Sequence, residues 1–373
     1  MWKISIFYNT FLSLNNTIKI EIGLDTGEVY PFIRLAGLPR TAGIKLNREE
    51  KCVFSKKFYI AAILVLAICA VLVFTPALTS RAAEESSQKY DIGACDRLKI
   101  TVLAEEGWYD TDLYLSELAA GGGTLESQWV KNITMDNMTG VSYLVEVDGY
   151  TILYDPGCNS EWCKGMIADK GIDLSKVDLV YISHEHLDHF WALEGILELR
   201  PDVDLLIPNT FSDIAHNKIK EWGHTGKLYE ATPQEPYQIV PGCASVAIAG
   251  PIMLDINGEQ HMYFNVKDKG LVVLTGCAHM GSVTILEWAK EKIKYDNDNL
   301  HAFIGGMHIC PFANWSPEYE DILVYFTKQD FDYLCPNHCA GKITGERMNV
   351  LMPDTYQWAY TGTVYEFGEG GLP

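Results

Sequence analysis

Residues 179–189 read Leu-Val-Tyr-Ile-Ser-His-Glu-His-Leu-Asp-His. A short apolar, β-branched run marks a buried strand, and here it stops abruptly and delivers His184, Glu185, His186, Asp188 and His189. Imidazole nitrogen and carboxylate oxygen are ligands that zinc, iron and manganese accept. The pair His184 and His186, two positions apart on an extended or turning segment, can close on one metal. Asp188 and His189, next along the turn, point toward a second. A loop that is merely polar has no reason to sit at the mouth of a strand in the pattern H-x-H-x-D-H.

Four residues cannot saturate two metals, so further ligands are expected, and strand ends are where to look. After a strand expected over 270–275 comes Gly276-Cys277-Ala278-His279. After one over 300–304 comes Gly305-Gly306-Met307-His308, and after one over 331–335 comes Pro336-Asn337-His338-Cys339. His279 and His338 are the ligand candidates. His308 and Cys277 are further ligands or groups lining the site. His216, His224, His261 and His301 lack such placement and default to surface or structural roles. Asp155 opens the turn Asp155-Pro156-Gly157 at the end of another expected strand, where a turn-starting aspartate and a site carboxylate are equally good readings.

The rest of the body alternates strands with helices. Asp148-Gly149 between 141–147 and 150–154 is a hairpin signal. Further strands are expected at 98–103, 203–207 and 244–249, and helices at 190–199, 282–294 and 317–328. This is an α/β body with helices outside the sheets. Residues 1–82 hold ten Lys/Arg against five Asp/Glu, leaving nineteen against forty-four in the remainder. So acidic a body argues against nucleic acid as a partner without naming a substrate; a small-molecule substrate is the partner expected. Eight cysteines follow Ala83; were the chain exported, Cys158–Cys163 and Cys335–Cys339 would be near enough in sequence to pair.

The front of the chain is organised differently. Residues 1–45 offer no assignable element and read as an over-extended start. Residues 58–74 carry no charge, follow Lys56-Lys57 and precede Ser80-Arg81-Ala82-Ala83. That order makes 46–83 a secretory signal or, through 58–78, a membrane anchor, and implies an extracytoplasmic location. Residues 84–97 read as a linker and 98–373 as one domain.

His184-x-His186-x-Asp188-His189 after a strand, with Asp155-x-Gly157 upstream, resembles the metallo-β-lactamase superfamily. Thr275-Gly276-Cys277-Ala278-His279, Gly305-Gly306-Met307-His308 and Pro336-x-His338-Cys339-Ala340-Gly341 are similar to its dihydropterin–ribofuranosylaminobenzene 5'-phosphate synthase-like branch. The resemblance implies a four-layer αββα sandwich with the metals at one edge. It implies His184 and His186 on one ion, Asp188 and His189 on the other, and His279 and His338 completing the two sets. Cys277 stands where superfamily members commonly carry a bridging aspartate. Asp155 would orient a ligand histidine by hydrogen bond. The implied cofactor is two divalent ions, zinc first, with iron or manganese as alternatives. The implied activity is hydrolysis of an ester, phosphoester, lactone or amide, with Asp188 as ligand and proton acceptor. A non-catalytic metal-binding surface or sensor protein and a di-iron redox protein are the competing readings. Neither a nucleophilic-serine motif nor a Walker phosphate loop occurs, so the metals must carry the chemistry.

Overall fold

The computed structural model describes residues 3–7, 19–23, 32–35, 89–105, 139–311 and 315–370. The chain divides into two compact units, Met1–Ala82 and Ala83–Pro373. In the first, β1 (Lys3–Phe7), β2 (Lys19–Gly23) and β3 (Phe32–Leu35) form an antiparallel sheet in that order. These strands lie within 1–45, where the sequence offers no assignable element. The segment 46–83, read as signal or anchor, lies outside the described residues. Among the described residues, no helix is long and apolar enough to cross a membrane.

The second unit begins with β4 (Tyr90–Asp91), so the end of the stretch read as a linker is already folded. Then come β5 (Arg97–Ala104), β6 (Ser142–Val147), β7 (Tyr150–Tyr154), α1 (Ser160–Asp169), β8 (Leu179–Tyr181), α2 (Leu187–Phe190) and α3 (Leu193–Leu199). β9 (Asp204–Pro208), α4 (Asp213–Glu221) and β10 (Leu228–Ala231) follow. The second half runs β11 (Tyr237–Val240), β12 (Cys243–Ile248), β13 (Glu259–Val266), β14 (Gly270–Thr275), α5 (Ser282–Lys292) and β15 (Ile293–Lys294). It ends with β16 (Leu300–Gly306), α6 (Pro317–Phe326), β17 (Phe331–Asn337), α7 (Lys342–Leu351) and β18 (Val364–Gly368). The helix expected over 190–199 is thus two helices, and the one expected over 282–294 stops at Lys292 because residues 293–294 pair with β4.

Two large sheets result. One has the order β10-β9-β8-β7-β6-β5-β18, the other β11-β12-β13-β14-β16-β17. The hairpin β6–β7 turns at Asp148 and Gly149, both at positive φ, as its two-residue turn requires. Alternation along each strand decides the layers. Ile100, Val145, Ile152 and Tyr181 of the first sheet pack against Met262, Phe264, Leu274 and Ile304 of the second in one core. The opposite face of the first sheet, with Leu153, Val180 and Leu205, buries Ile167, Phe190, Leu193 and Ile219 of its helices. The opposite face of the second, with Tyr263, Val273 and Phe303, buries Ile285, Leu286, Leu323, Phe326 and Met348. The order is helices, sheet, sheet, helices, as the four-layer expectation had it.

Parallel pairing positions the site. β7, β8 and β9 run parallel, as do β14, β16 and β17, so within each sheet these strands finish on one side. The two finishing edges are tied across the sandwich. The Gln260 backbone N–H donates to Ser183 O at 2.8 Å, and its side-chain amide donates to Ile182 O at 2.7 Å.

Candidate metal centre

Each turn that supplies a candidate residue leaves the end of a parallel strand: Asp155 after β7, His184 to His189 after β8, Cys277 to His279 after β14, His308 after β16, His338 after β17. Four of these turns hold a non-glycine residue in the left-handed region: Asp155 (φ 47), Ala278 (φ 64), His308 (φ 43) and His338 (φ 49). Such a conformation costs on the order of 1–3 kcal/mol and persists where the surroundings hold it.

The turns converge. Potential ligand atoms of His184, His186 and His279 lie within 4.8 Å of one another, as do those of Asp188, His189 and His338. Cys277 joins both groups: its sulfur clusters with His184 and His189, with His279 and His308, and with His338 and Cys339. The first two sets are the pairings the resemblance implied, and Cys277 stands between them. His308 lies beside His279 with the two rings tilted, their centroids 4.2 Å apart.

Hydrogen bonds fix which nitrogen faces inward. Met253 O can only accept, so His186 Nε2, 3.0 Å away, carries the hydrogen and its bare Nδ1 faces His279 Nε2 at 3.1 Å. The Ser183 hydroxyl donates to Asp155 Oδ2 at 2.7 Å, so it accepts from His184 Nδ1 at 2.9 Å and leaves His184 Nε2 bare. That Nε2 is buried with no hydrogen-bond partner. Asp155 accepts from His189 Nδ1 at 2.7 Å, leaving His189 Nε2 3.1 Å from Cys277 Sγ and 3.5 Å from Asp188 Oδ2. Each of the three histidines is thus gripped from outside by one nitrogen and presents the other to the cluster, the arrangement ligand histidines adopt.

Electrostatics agree for three of the histidines, while His189 must give up a proton to take an ion. Burial, then repulsion from neighbouring imidazoles, pushes His184 and His279 well below the ordinary histidine value, and burial brings His186 to about 4. Neutral imidazoles are what a cation needs. Burial alone would raise Asp188, but the charges of His189 and His338 and the hydrogen bond from His338, 3.3 Å away, hold it well below the carboxylate range. Burial opposes charge on His189, yet the Asp188 and Asp155 carboxylates outweigh it and lift the imidazole to about 9. A buried, partnerless Nε2 on His184 within a nitrogen, carboxylate and thiol donor set is what a divalent cation satisfies. The residues fit the implied metal.

Several participants escaped the sequence reading. Glu259 is fully buried at the start of β13, and its carboxylate accepts the backbone N–H groups of Cys277, Ala278 and His279 at 2.8, 3.0 and 2.7 Å. The signal was available: an acid opening a strand buried along its whole length. Ser183 and Cys339 also belong to the cluster's surroundings. Glu185, inside the histidine motif, instead accepts from Ser212 N and Oγ at the start of α4. His261 and His301 are buried within strands rather than at the surface, and both His261 nitrogens lack partners. The eight described cysteines are buried and none is in a disulfide, so neither Cys158–Cys163 nor Cys335–Cys339 is bridged.

Residues 136–258, which carry Asp155 and the histidine motif, match the model of the metallo-beta-lactamase superfamily. A metal-dependent hydrolase of the beta-lactamase superfamily superposes with a TM-score of 0.52 at 21% identity, covering 73% of this chain and 100% of its own. This chain has the metallo-β-lactamase fold. A second structure of that fold, YhfI from Bacillus subtilis, superposes with a TM-score of 0.49 at 16% identity, over 73% of this chain and all of its own. Among proteins of described activity, the 7,8-dihydropterin-6-methyl-4-(beta-D-ribofuranosyl)-aminobenzene-5'-phosphate synthase of Methanocaldococcus jannaschii is 21% identical over 318 residues, covering 74% of this chain and 99% of the relative. In this metallo-β-lactamase-fold chain, the strand-end cluster lies at one edge of the sandwich.

Proposed function

We propose that the chain is a metal-dependent hydrolase of small-molecule esters, phosphoesters, lactones or amides, acting through a paired divalent centre. The observation that carries this reading is the presence of two three-residue ligand sets, His184/His186/His279 and Asp188/His189/His338, flanking one sulfur, Cys277. One set would hold each ion. A bound divalent ion lowers the pKa of water from ~15.7 to about 7, and two ions ~3.5–4 Å apart also polarise the electrophilic oxygen. The chain's own residues supply position and charge. Asp155 and Met253 O fix the inward nitrogens of His189 and His186. Asp188 Oδ2 is the proton acceptor nearest the cluster, but a carboxyl held so acidic is a weak base, so its ligand role comes first. Zinc suits this mixed nitrogen, oxygen and sulfur set best. The uncharged run at 58–74 supports work outside the cytoplasm, which cell fractionation tests.

The test is metal analysis of the protein purified without added metal, followed by turnover of chromogenic ester, phosphodiester, lactone and amide substrates. Two ions per chain and metal-dependent turnover of at least one substrate are expected, and His186→Ala should reduce that turnover by about a hundred- to a thousandfold, the scale of losing a positioned catalytic group. Retained turnover in that variant would refute the reading. Tight metal binding with no turnover across the panel would favour the non-catalytic alternative.

A further inference from the structure

The two histidine sets leave a second thiol unexplained. Cys339 follows His338 in the single turn His338–Ala340, entered at left-handed φ on His338 and left at φ 84 on Gly341. Adjacent residues of an extended strand point to opposite faces. This tight turn instead brings both side chains to one place: the ligand atoms of His338, Cys339 and Cys277 lie within 4.8 Å of one another. Both sulfurs are buried. The approach needs space, and the fold reserves it. A Cβ on Gly306 would fall 2.8 Å from Cys339 Sγ and 3.0 Å from Cys277 Cα. Beside the pair stands His308, whose Nδ1 is buried with no hydrogen-bond partner.

We propose that Cys277, Cys339 and His338 form a sulfur-rich cation position within the centre, one that takes a thiophilic divalent ion such as zinc or cadmium in preference to manganese or magnesium. The proposal rests on the metal-centre reading and deepens it, by naming the class of ion and a ligand, Cys339, outside the two sets above. Two thiolates and an imidazole are a soft donor set, and hard ions prefer carboxylate, carbonyl and water oxygen. Cation binding releases the thiol protons, including the one Cys339 Sγ now donates to Cys277 O at 3.3 Å. A buried thiol held by its protein neighbours with no ion is the competing account, and it predicts no sulfur–metal bond at Cys339.

The experiment is cadmium titration of the full chain after chelator treatment, following thiolate-to-cadmium charge-transfer absorption in the ultraviolet together with bound cadmium by elemental analysis. The native chain should show the band, and Cys339→Ser and Cys277→Ser should each lose about half of it, since band intensity follows the number of thiolates bound. A hundredfold excess of manganese should leave the band unchanged. Full band intensity in Cys339→Ser, or displacement by manganese, would overturn the proposal. Should either variant fail to fold, cadmium-113 NMR of the native chain decides. A resonance shifted downfield into the two-sulfur range supports the position, and resonances confined to the nitrogen and oxygen range reject it. Cadmium bound without a sulfur signature sinks this inference alone, whereas no bound cadmium together with no metal-dependent turnover sinks the hydrolase reading as well.

Discussion

At Asp155 a single carboxylate takes the Ser183 N–H, the Ser183 O–H and the His189 Nδ1–H, each at 2.7 Å. Asp155→Asn keeps the size but turns a donor toward one of those donors, so His189 loses its fixed tautomer. Metal affinity, measured by competition with a chromogenic chelator, should fall by about 10–100-fold. His261 shows the opposite situation, a histidine with nothing to hold it. Its Nδ1 lies 3.8 Å from Glu259 Oε1, beyond hydrogen-bond reach, and burial pushes the imidazole down to about 3. Its folded pKa is depressed below the unfolded value of about 6.5, so the unfolded chain takes up the proton first as pH falls. Stability is therefore intact above about pH 6.5 and is lost progressively toward pH 3, at up to about 1.4 kcal/mol per unit. His261→Leu should flatten the fall between pH 6 and 4 in urea unfolding of the metal-free chain; an unchanged slope would contradict this account.

The strand-end turn is the element that makes the centre, and its demands are steric as much as chemical. Gly276, directly after β14, has no side chain because a Cβ there would lie 2.3 Å from Ser183 Oγ and 2.9 Å from Asp155 Oδ2. Gly276→Ala should destabilise the fold by about 1–3 kcal/mol, the scale of overpacking, and weaken metal binding, because it forces apart the two turns that must meet. A helix cap that belongs to neither ligand set separates the two effects. The Asn159 side chain accepts the Trp162 N–H at 2.9 Å at the start of α1. Asn159→Ala should cost about 1 kcal/mol in chemical denaturation and leave metal affinity unchanged. At this scale the sequence was most readable for central strands. Apolar runs such as 270–275 and 300–304 announced themselves because both faces are buried. β10, β11 and β18 were missed because they are short and partly exposed, the central β13 because Glu259, Gln260, His261 and Asn265 interrupt its apolar run although it is buried throughout, and α1, α4 and α7 because their apolar stripes are thin.

At the scale of the fold, the candidate centre spans both sheets: His184 to His189 follow a strand of one, and Cys277, His279, His308 and His338 follow strands of the other. An ion held by both should stabilise the sandwich as a unit. Free metal at 1,000 times its dissociation constant adds about 4 kcal/mol. Chelation should lower the melting temperature in scanning calorimetry, and restoring zinc should reverse the loss.

The histidine motif, the turn at Asp155 and the later strand ends were legible because each is local: a strand period, then residues whose chemistry names a metal. The outward grip on each histidine, the place of Cys277 between two ligand sets, the Glu259 carboxylate behind the Cys277–His279 turn and the approach of Cys339 were not legible. They join residues tens of positions apart through parallel crossovers and through the facing of two sheets. Local periodicity states which face a side chain takes, but the distance between two strand ends is set only when the layers between them are packed.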